Sequence, residues 1–487
     1  MKLKSWVLAF SLILSVAGAS ASDSSPSNPL NQTQLIALLT AGVSSHRLSQ
    51  LVRQRGLASA LSPDQLRQLK AAGATSGLVD FVNTIKTPPA PAAPVSRSLL
   101  KAAAEARRQH YHEAELQLRE ALNSDPNNAA LHFALGSMLR QQDQFDDAFE
   151  EITDSAQLMP DLPENHTAFA YLFYRLDDGP NAIAEARTAL SMDPQNAEAY
   201  QFLGLGLYSN GQYGAAVHAY SESLAREADN ADTYYDMGIA LHADGNRAGA
   251  ILAYRKAIAL RPDFWEAHSN LALTFHEQGQ LKHAVAEYRE AKRIAPEQAS
   301  VRNNLGNTYC DQSDYDAAIT ELRELYHQHP EWQQGHGCLA SAYMAKKNYD
   351  DAVSELQLAL RLNPTGATEH RVLGQALLLD NKPDEALREF RLAVSLNPDS
   401  DVAHHFLGTI LFQTQQLQAA EKEFREALRL QSTADNHYSL AACLMTMDRY
   451  QEALSELELA ARLAPERPLY RARREELLKL MKGSSTR

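Results

Sequence analysis

The sequence predicts an all-α solenoid of about eleven helix-turn-helix repeats, preceded by a small module of helical hairpins. Three observations lead to this fold class. The chain has 487 residues, too many for one ordinary core, which leaves several domains or an extended array. Prolines recur every 34 residues or twice that over most of the chain, and small residues recur in the same phase. A fixed period of this length is the signature of stacked supersecondary units.

The proline series gives the period and the limits of the repeats. Proline ends a helix because it lacks a backbone N–H and its ring clashes with the preceding turn. The series comprises Pro126, Pro160, Pro194, Pro262, Pro296, Pro330, Pro364 and Pro398, with Ala228 in the gap, Ser432 after a further 34 residues and Pro465 after 33 more. Eleven repeats, numbered 1 to 11, therefore begin near residues 95, 129, 163, 197, 231, 265, 299, 333, 367, 401 and 434.

Three other positions predict how the two helices of a repeat pack. Position 8 is always glycine or alanine, position 20 is always alanine, and position 24 is bulky in most repeats, as in Tyr220 and Phe390. Small residues that face each other let two helices cross closely, and the bulky side chain fills the space beside them. Short polar turns, such as residues 209–212, separate the helices.

A small residue at positions 8 and 27, alanine at 20, a large side chain at 24 and proline at 32 of a 34-residue unit make up the tetratricopeptide repeat (TPR) signature, which the sequence resembles over residues 95–467. The resemblance implies stacked hairpins that form a right-handed superhelix, with the first helices lining a concave groove. It also implies a closing helix after the last repeat. Residues 470–481, within the C-terminal segment 468–487, fit that cap.

The N-terminus predicts export. Lys2 and Lys4 precede an apolar run over residues 6–16, and residues 19–21 read Ala-Ser-Ala. A positive end, an apolar centre and a small-residue cleavage site are the parts of a secretory signal peptide. We therefore expect residues 1–21 to be a cleaved signal peptide, residues 22–29 to be a short leader, and the mature protein to be periplasmic or secreted without a stable membrane span. An uncleaved membrane anchor is the alternative.

Residues 30–86 predict a small duplicated helical module, because the spacing of residues 30–45 is repeated by residues 61–76. Each copy has the pattern of an N-capped helix that an Ala-Gly pair ends, followed by a second apolar helix. Two hairpins of this size bury little surface alone, so we expect the halves to pair or to dock elsewhere. The proline- and alanine-rich residues 87–94 predict an extended linker.

Charge and cysteine content exclude several classes of function. The chain has 46 basic and 60 acidic residues, a formal charge of -14, which repels phosphate backbones and argues against nucleic-acid binding. Cys310, Cys338 and Cys443 form no CxxC pair and are interpreted as small core residues. Cys310 and Cys338 fall on neighbouring first helices six positions out of step, which predicts that they are poorly placed for a disulfide.

The 17 histidines show no HExxH motif or other metal-ligand spacing. Several of them occupy position 4 of a repeat, where Tyr200 and Tyr234 stand in sister repeats. Among these are His132, His268, His336, His370 and His404. Packing explains them better than ligation, so the sequence predicts neither a metal site nor a cofactor.

The resemblance also supplies candidate binding residues, because TPR ligands usually lie against positions 2, 5, 9, 12 and 13 of the first helices. Tyrosine and histidine combine a flat apolar body with a hydrogen-bonding tip, which suits an extended peptide or an amphipathic helix. The candidates are Tyr171, Tyr174, Tyr208, Tyr235, His242, His276, Asn303 and Asn307, with Phe133 and His405 at position 5 of other repeats. The alternative is that these side chains only pack against neighbouring repeats.

The predicted function is a non-catalytic scaffold that binds a peptide or protein in the groove. The repeats and the flanking segments leave no stretch for a catalytic domain, and the sequence contains no phosphate-binding loop or nucleophile elbow. Asn303 and Asn307 stand where some TPR proteins grip a C-terminal carboxylate, but Thr368 and Val372 replace the cations such a clamp needs. The alternative function is an accessory subunit of an envelope glycosyltransferase or polysaccharide-export complex. The oligomeric state is left open.

Overall fold

The computed structural model describes residues 28–87, 94–332 and 334–484. Every regular element in these ranges is an α-helix, 27 in all, so the predicted all-α solenoid is confirmed. The predicted signal peptide, most of the leader and most of the linker lie outside the described residues. The chain divides into two compact units, Met1–Leu260 and Arg261–Arg487.

The first compact unit contains four N-terminal helices and repeats 1 to 5. The N-terminal helices are α1 (Gln32–Thr40), α2 (Ser45–Arg55), α3 (Pro63–Ala71) and α4 (Ser76–Thr84). The repeats consist of α5 (Arg97–Arg107), α6 (Tyr111–Ser124), α7 (Ala129–Gln141), α8 (Phe145–Leu158), α9 (Pro163–Arg175), α10 (Gly179–Met192), α11 (Ala197–Ser209), α12 (Tyr213–Arg226), α13 (Ala231–Ala243) and α14 (Arg247–Leu260).

The second compact unit contains repeats 6 to 11 and the closing helix. Its helices are α15 (Trp265–Glu277), α16 (Leu281–Ile294), α17 (Ala299–Asp311), α18 (Tyr315–Gln328), α19 (His336–Ala345), α20 (Tyr349–Leu362), α21 (Ala367–Leu379), α22 (Pro383–Leu396), α23 (Asp401–Gln413), α24 (Leu417–Leu430), α25 (Ala434–Thr446), α26 (Tyr450–Leu463) and α27 (Pro468–Ser484). Tyr470 and Leu477 of α27 are buried.

One residue with positive φ reverses the backbone between the two helices of every repeat. It always stands at position 15, and it is glycine only in repeats 4 to 6, at Gly211, Gly245 and Gly279. In the other eight repeats it is Gln109, Asp143, Asp177, Ser313, Lys347, Asn381, Gln415 or Asp448. Left-handed backbone is strained for residues with a Cβ, so its recurrence shows that the tight reversal is common to all the repeats whatever the side chain.

The glycines at position 8 allow bulky side chains to lie against the helix backbone. A Cβ atom added to Gly204 would be 2.5 Å from the ring of Tyr220, and one added to Gly238 would be 2.5 Å from the ring of Tyr254. Both rings are 1% exposed. The packing predicted from small and bulky positions is therefore present, and the contact joins residues 16 apart within each repeat.

The N-terminal helices pack on the first helices of the array. Helix α1 begins with a capping box formed by Asn31 and Gln34, and α3 begins with one formed by Ser62 and Gln65. Helix α1 contacts α5 and α7, which are the first helices of repeats 1 and 2. Leu38 of α1 and residues of α7 belong to one continuous apolar core.

Arg47 joins the N-terminal helices to repeat 3. Its guanidinium lies 2.6 Å from a carboxylate oxygen of Glu164 and 2.7 Å from one of Asp193. The side chain of Arg47 is 11% exposed, and those of Glu164 and Asp193 are 7% and 5% exposed. Two buried carboxylates therefore share one buried cation.

The histidines at position 4 are mostly buried, as packing residues should be, but they are also paired. Each has its Nδ1 2.5–2.7 Å from a glutamate oxygen that lies 19 residues later, in the second helix of the same repeat. The seven pairs are His132–Glu151, His166–Glu185, His268–Glu287, His336–Glu355, His370–Glu389, His404–Glu423 and His437–Glu456. We call this series the histidine–glutamate ladder.

The ladder has a signal in the sequence that an inspection of position 4 alone misses. In repeat 7, position 4 is Arg302 and position 23 is Glu321, and their charged atoms are 3.6 Å apart. In repeat 4, position 4 is Tyr200 and position 23 is Ala219. Within this chain, position 23 is glutamate wherever position 4 can carry a positive charge.

The prediction that Cys310 and Cys338 are poorly placed for a disulfide is wrong, since the two residues form one, with a Cα–Cα distance of 6.2 Å. Helices α17 and α19 are staggered along their axes rather than aligned position by position. Cys338 therefore faces both Gly306, whose carbonyl oxygen is 3.6 Å from its sulfur, and Cys310, one turn later. Cys443 is a buried free thiol, as the sequence predicts.

Candidate functional site

The candidate tyrosines lie on three consecutive first helices of the first compact unit. Helix α9 carries Tyr171 and Tyr174, α11 carries Tyr208 and α13 carries Tyr235. All four side chains are half-buried. They stand at positions 5, 9 and 12 of their repeats. Positions three or four residues apart share one face of a helix, and the 34-residue period repeats that face on each first helix.

Tyr171 lies among cationic and aromatic side chains. Its hydroxyl accepts a hydrogen bond from Arg175 at 2.7 Å, and its ring centroid is 5.2 Å from that of Phe202. The guanidinium of Arg140 lies 4.9 Å from the Tyr171 centroid and 6.0 Å from that of Phe202. Cations over aromatic faces are therefore a feature of this surface.

The structure brings Tyr174 and Tyr208 together with a carboxylate that the sequence analysis missed. Asp236 of α13 accepts a hydrogen bond from Nε2 of Gln201 at 3.1 Å. Burial raises the pKa of Tyr174, and the negative charge of Asp236 raises it further. Burial and the same carboxylate raise the pKa of Tyr220, which packs in one apolar cluster with Tyr174 and Tyr208. We call Tyr174, Gln201, Tyr208, Tyr220 and Asp236 the tyrosine–aspartate cluster.

Asp236 is an unusual acid. Burial raises its pKa to about 7, the hydrogen bond from Gln201 opposes that rise, and the charge of Asp232 adds to it. Asp236 stands at position 6, where sister repeats have Asn270 and Asn304. A carboxylate followed by amides at the same position of the next two repeats was the available signal, and the emphasis on positions 5, 9 and 12 passed over it.

The other candidates are placed differently. Tyr235 packs its ring 6.0 Å from that of Tyr254 and is not part of the cluster. His242 is half-buried near the end of α13. In the second compact unit, Nε2 of His276 lies 2.6 Å from a carboxylate oxygen of Asp311, across two first helices.

The two asparagines of α17 differ in exposure. Asn303 is 4% exposed, and its Nδ2 donates to Oδ1 of Asn304 at 3.4 Å, while its own Oδ1 accepts no hydrogen bond from a described residue. Asn307 is half-buried. Of the two, only Asn307 offers an accessible amide to a ligand.

Repeats 1 and 2 do not present the same open face. Phe133, at position 5 of repeat 2, is 6% exposed and belongs to the apolar core that α1 completes. Glu164, at position 2 of repeat 3, forms an ion pair with Arg47. The N-terminal helices thus cover positions that the sequence assigned to the groove, and the accessible aromatic face begins at Tyr171.

One group among the described residues has the spacing of a metal site. One ligand atom from each of His132, Glu151 and Asp154 lies within 4.8 Å of the other two. The same histidine–glutamate pair recurs in six other repeats of the ladder, and Nε2 of His132 bonds the carbonyl oxygen of Pro126 at 2.9 Å. We therefore interpret the group as one rung of the ladder.

No helix in the described part of the chain combines the length and the apolar character that a bilayer crossing needs.

Comparison with solved structures finds TPR proteins at low sequence identity. YrrB, described as a TPR protein with an unusual peptide-binding site, is 17% identical, and the match covers 39% of this chain and 97% of YrrB with a TM-score of 0.35. A TPR protein from Parabacteroides merdae is 17% identical over 51% of this chain and 98% of its own, with a TM-score of 0.43. Yeast Tom70 is 15% identical over 79% and 94%, with a TM-score of 0.38. No curated protein sequence matches the chain.

Family sequence profiles match along most of the repeat array. The profile described as "Tetratricopeptide repeat" matches residues 99–163, 167–232, 303–367, 339–401, 371–435 and 407–468. The profile described as "TPR repeat" matches residues 242–279 and 273–312. These matches span well over half of the chain and agree in phase with the helical hairpins. The chain belongs to the tetratricopeptide repeat family.

Proposed function

We propose that this protein is a non-catalytic scaffold that holds a peptide or protein segment against the first helices of repeats 3 to 5. The observation that carries the proposal is the series of half-buried tyrosines Tyr171, Tyr174, Tyr208 and Tyr235 on α9, α11 and α13. Membership of a family of protein-interaction scaffolds supports it. Half-buried aromatic rings with polar tips are efficient anchors because they bury much area at low cost in conformational entropy.

The N-terminal helices support this location. They cover the corresponding face of repeats 1 and 2, so that in the described part of the chain a ligand lying along the first helices meets half-buried aromatic rings from Tyr171 onward. Each well-seated aromatic anchor contributes roughly 1–3 kcal/mol, and several together suffice for micromolar binding.

We also propose that the protein works in an oxidising compartment, as a periplasmic or secreted protein. The predicted signal peptide supports this location, and so does the disulfide between Cys310 and Cys338, because cystines persist outside the reducing cytoplasm. Export can be tested by fractionating cells that express the full chain and measuring the mass of the recovered N-terminus. A protein that starts at Met1 in the cytoplasm would contradict it.

The scaffold function is tested by crosslinking in intact cells followed by affinity capture and mass spectrometry. The variant Tyr171→Ala, Tyr174→Ala, Tyr208→Ala, Tyr235→Ala should lose most of the captured protein while its helical circular dichroism stays near that of the wild type. The matched control replaces Tyr111, Tyr315, Tyr349 and Tyr450, which are also half-buried but begin second helices. Equal capture by both variants would exclude this face.

The captured proteins also separate the two functions considered for the chain. Recovery of one envelope glycan-synthesis enzyme would favour the accessory-subunit alternative. Recovery of varied proteins that share a peptide motif would favour the general scaffold.

A further inference from the structure

We propose that Asp236 and the tyrosines around it form a subsite for a lysine or arginine side chain of the bound segment. This inference rests on the proposed scaffold function and specifies its partner as one that presents a basic residue to repeats 3 to 5. The observations concern the charge of the subsite, its aromatic surroundings and the chemistry of the remaining partners.

The carboxylate of Asp236 has no cationic partner in the part of the chain that the structure describes. Its one hydrogen bond comes from the neutral amide of Gln201, and the charge that raises its pKa is that of another carboxylate, Asp232, one turn earlier on α13. Two like charges four residues apart on a helix repel each other. Among the described residues, the carboxylate of Asp236 is therefore not neutralised by a cation.

Other buried acids of the same compact unit are compensated. Glu164 and Asp193 share Arg47, and Glu185 is paired with His166 at 2.7 Å. Buried carboxylates are ordinarily paired because desolvating an isolated charge is costly. Asp236 departs from that rule on the face where the proposed ligand lies, which indicates that its partner comes from the ligand.

The walls of the subsite suit a cation. Tyr174 and Tyr208 are half-buried and Tyr220 is buried, and burial raises the pKa of all three phenols, so all remain neutral. Aromatic faces attract ammonium and guanidinium groups. The neighbouring part of the same surface already uses this interaction, with Arg140 over Tyr171 at 4.9 Å.

The chemistry also selects among ligands. A divalent cation prefers several carboxylate or carbonyl oxygens, whereas Asp236 is the one carboxylate of the tyrosine–aspartate cluster. A ligand carboxylate would meet the ionised carboxylate of Asp236 and be repelled. A single positive charge on a long apolar stem satisfies the carboxylate and packs on the rings, and the overall charge of -14 favours its approach.

Binding should depend on pH in a defined direction. The unliganded carboxyl has a pKa of about 7, and a bound cation stabilises only its ionised form. About one tenth of the subsites are ionised at pH 6 and about nine tenths at pH 8. Affinity for a basic segment should therefore rise by nearly tenfold across that interval.

The probe is a set of acetylated, amidated octapeptide libraries that are identical except for a central lysine, arginine, norleucine or glutamate. Binding to the full mature chain is measured by affinity retention and then, for retained peptides, by fluorescence anisotropy. We expect the lysine and arginine libraries to bind, the glutamate and norleucine libraries to bind at least about tenfold more weakly, and the affinity to rise from pH 6 to pH 8. Asp236→Asn should abolish both the charge preference and the pH dependence.

The control Asp229→Asn removes the same charge from the exposed loop before α13, and it should retain both properties. Asp236→Asn is nearly isosteric, and a melting temperature at or above that of the wild type shows that it folds.

If peptides bind and depend on Tyr171, Tyr174, Tyr208 and Tyr235 but show no preference for a basic residue, the subsite is wrong and the scaffold stands. If no library binds, and cellular capture is also insensitive to the tyrosines, both are wrong. A charge preference that survives in Asp236→Asn overturns the assignment to this carboxylate.

Discussion

At the scale of single residues, the protonation state of His132, the histidine at position 4 of repeat 2, depends on the glutamate that stands 19 residues later in the sequence. Nδ1 of His132 lies 2.7 Å from Glu151, and its Nε2 lies 2.9 Å from the carbonyl oxygen of Pro126. A carbonyl and a carboxylate both accept hydrogen bonds, so the imidazolium, which donates from both nitrogens, is the form of His132 that satisfies them. The hydrogen bond that His132 donates to Glu151 raises the pKa of His132, burial opposes the rise, and the Pro126 carbonyl and the charges of Glu151 and Asp154 add to it.

The pair of His132 and Glu151 should stabilise the protein less at alkaline pH. Because the folded pKa of His132 lies above its ordinary value of 6.5, the charged pair contributes fully below that value and is lost as the pH rises through the folded pKa. Glu151→Gln should lower the free energy of unfolding by about 1 kcal/mol at pH 6 and by much less at pH 9. Urea unfolding at the two pH values measures the difference.

Glu150→Gln, an exposed neighbour on the same helix, is the control and should change stability little at either pH. A pH-independent cost of Glu151→Gln would show that the pair acts through packing instead of charge.

At the scale of helices, each repeat is held by contacts that the period reproduces. Where position 8 is glycine, a bulky side chain at position 24 lies against it. Position 15 reverses the chain in every repeat, and a histidine or arginine at position 4 pairs with a glutamate at position 23 in eight repeats. Each feature belongs to one hairpin, so its sequence spacing stays constant wherever it recurs. Stability should therefore be sensitive to these positions and insensitive to similar changes on exposed faces.

Replacing the glycine beneath a buried ring should damage the hairpin. In Gly204→Leu the new side chain would overlap Tyr220, whose ring lies 2.5 Å from the place of a Cβ atom, and the tight packing leaves it little room to move. We expect the free energy of unfolding to fall by about 2 kcal/mol or more. Thermal and urea unfolding followed by circular dichroism provide the measurement.

The matched control is Gly214→Leu in α12, where an added Cβ meets nothing within 4 Å. Leucine has a higher helix propensity than glycine, so this variant should be as stable as the wild type or up to about 1 kcal/mol more stable. Similar losses in both variants would mean that the close contact at Gly204 is unimportant.

At the scale of the whole molecule, the N-terminal helices determine which repeats remain accessible. Arg47 is 117 residues from Glu164 in the chain, and the pair closes the N-terminal helices onto repeat 3. Helix α1 packs on α5 and α7 through apolar contacts, while Arg47 and Arg55 of α2 form ion pairs with Glu164 and Asp161. The aromatic face begins where this attachment ends.

Arg47→Ala should loosen that attachment. The substitution leaves Glu164 and Asp193 buried without their cation, and breaking a buried ion pair in this way costs about 3–5 kcal/mol. We expect faster limited proteolysis and faster hydrogen exchange within α2, with the rest of the array little changed. Arg67→Ala, which removes an arginine that is 73% exposed, should leave α2 protected. Unchanged protection in Arg47→Ala would show that the other contacts, which are the apolar packing and the pairing of Arg55 with Asp161, are enough to seat these helices.

The sequence by itself determined the all-α solenoid, the number of repeats and the packing of each hairpin. It could do so because the contact between positions 8 and 24 joins residues 16 apart and recurs with the 34-residue period, so that a pattern reveals it. The stagger between α17 and α19 that joins Cys310 to Cys338, the covering of Phe133 and the surroundings of Asp236 were decided only by the tertiary structure. Each of these occurs once and depends on how separate elements meet, and a contact that is not repeated leaves no period in the chain.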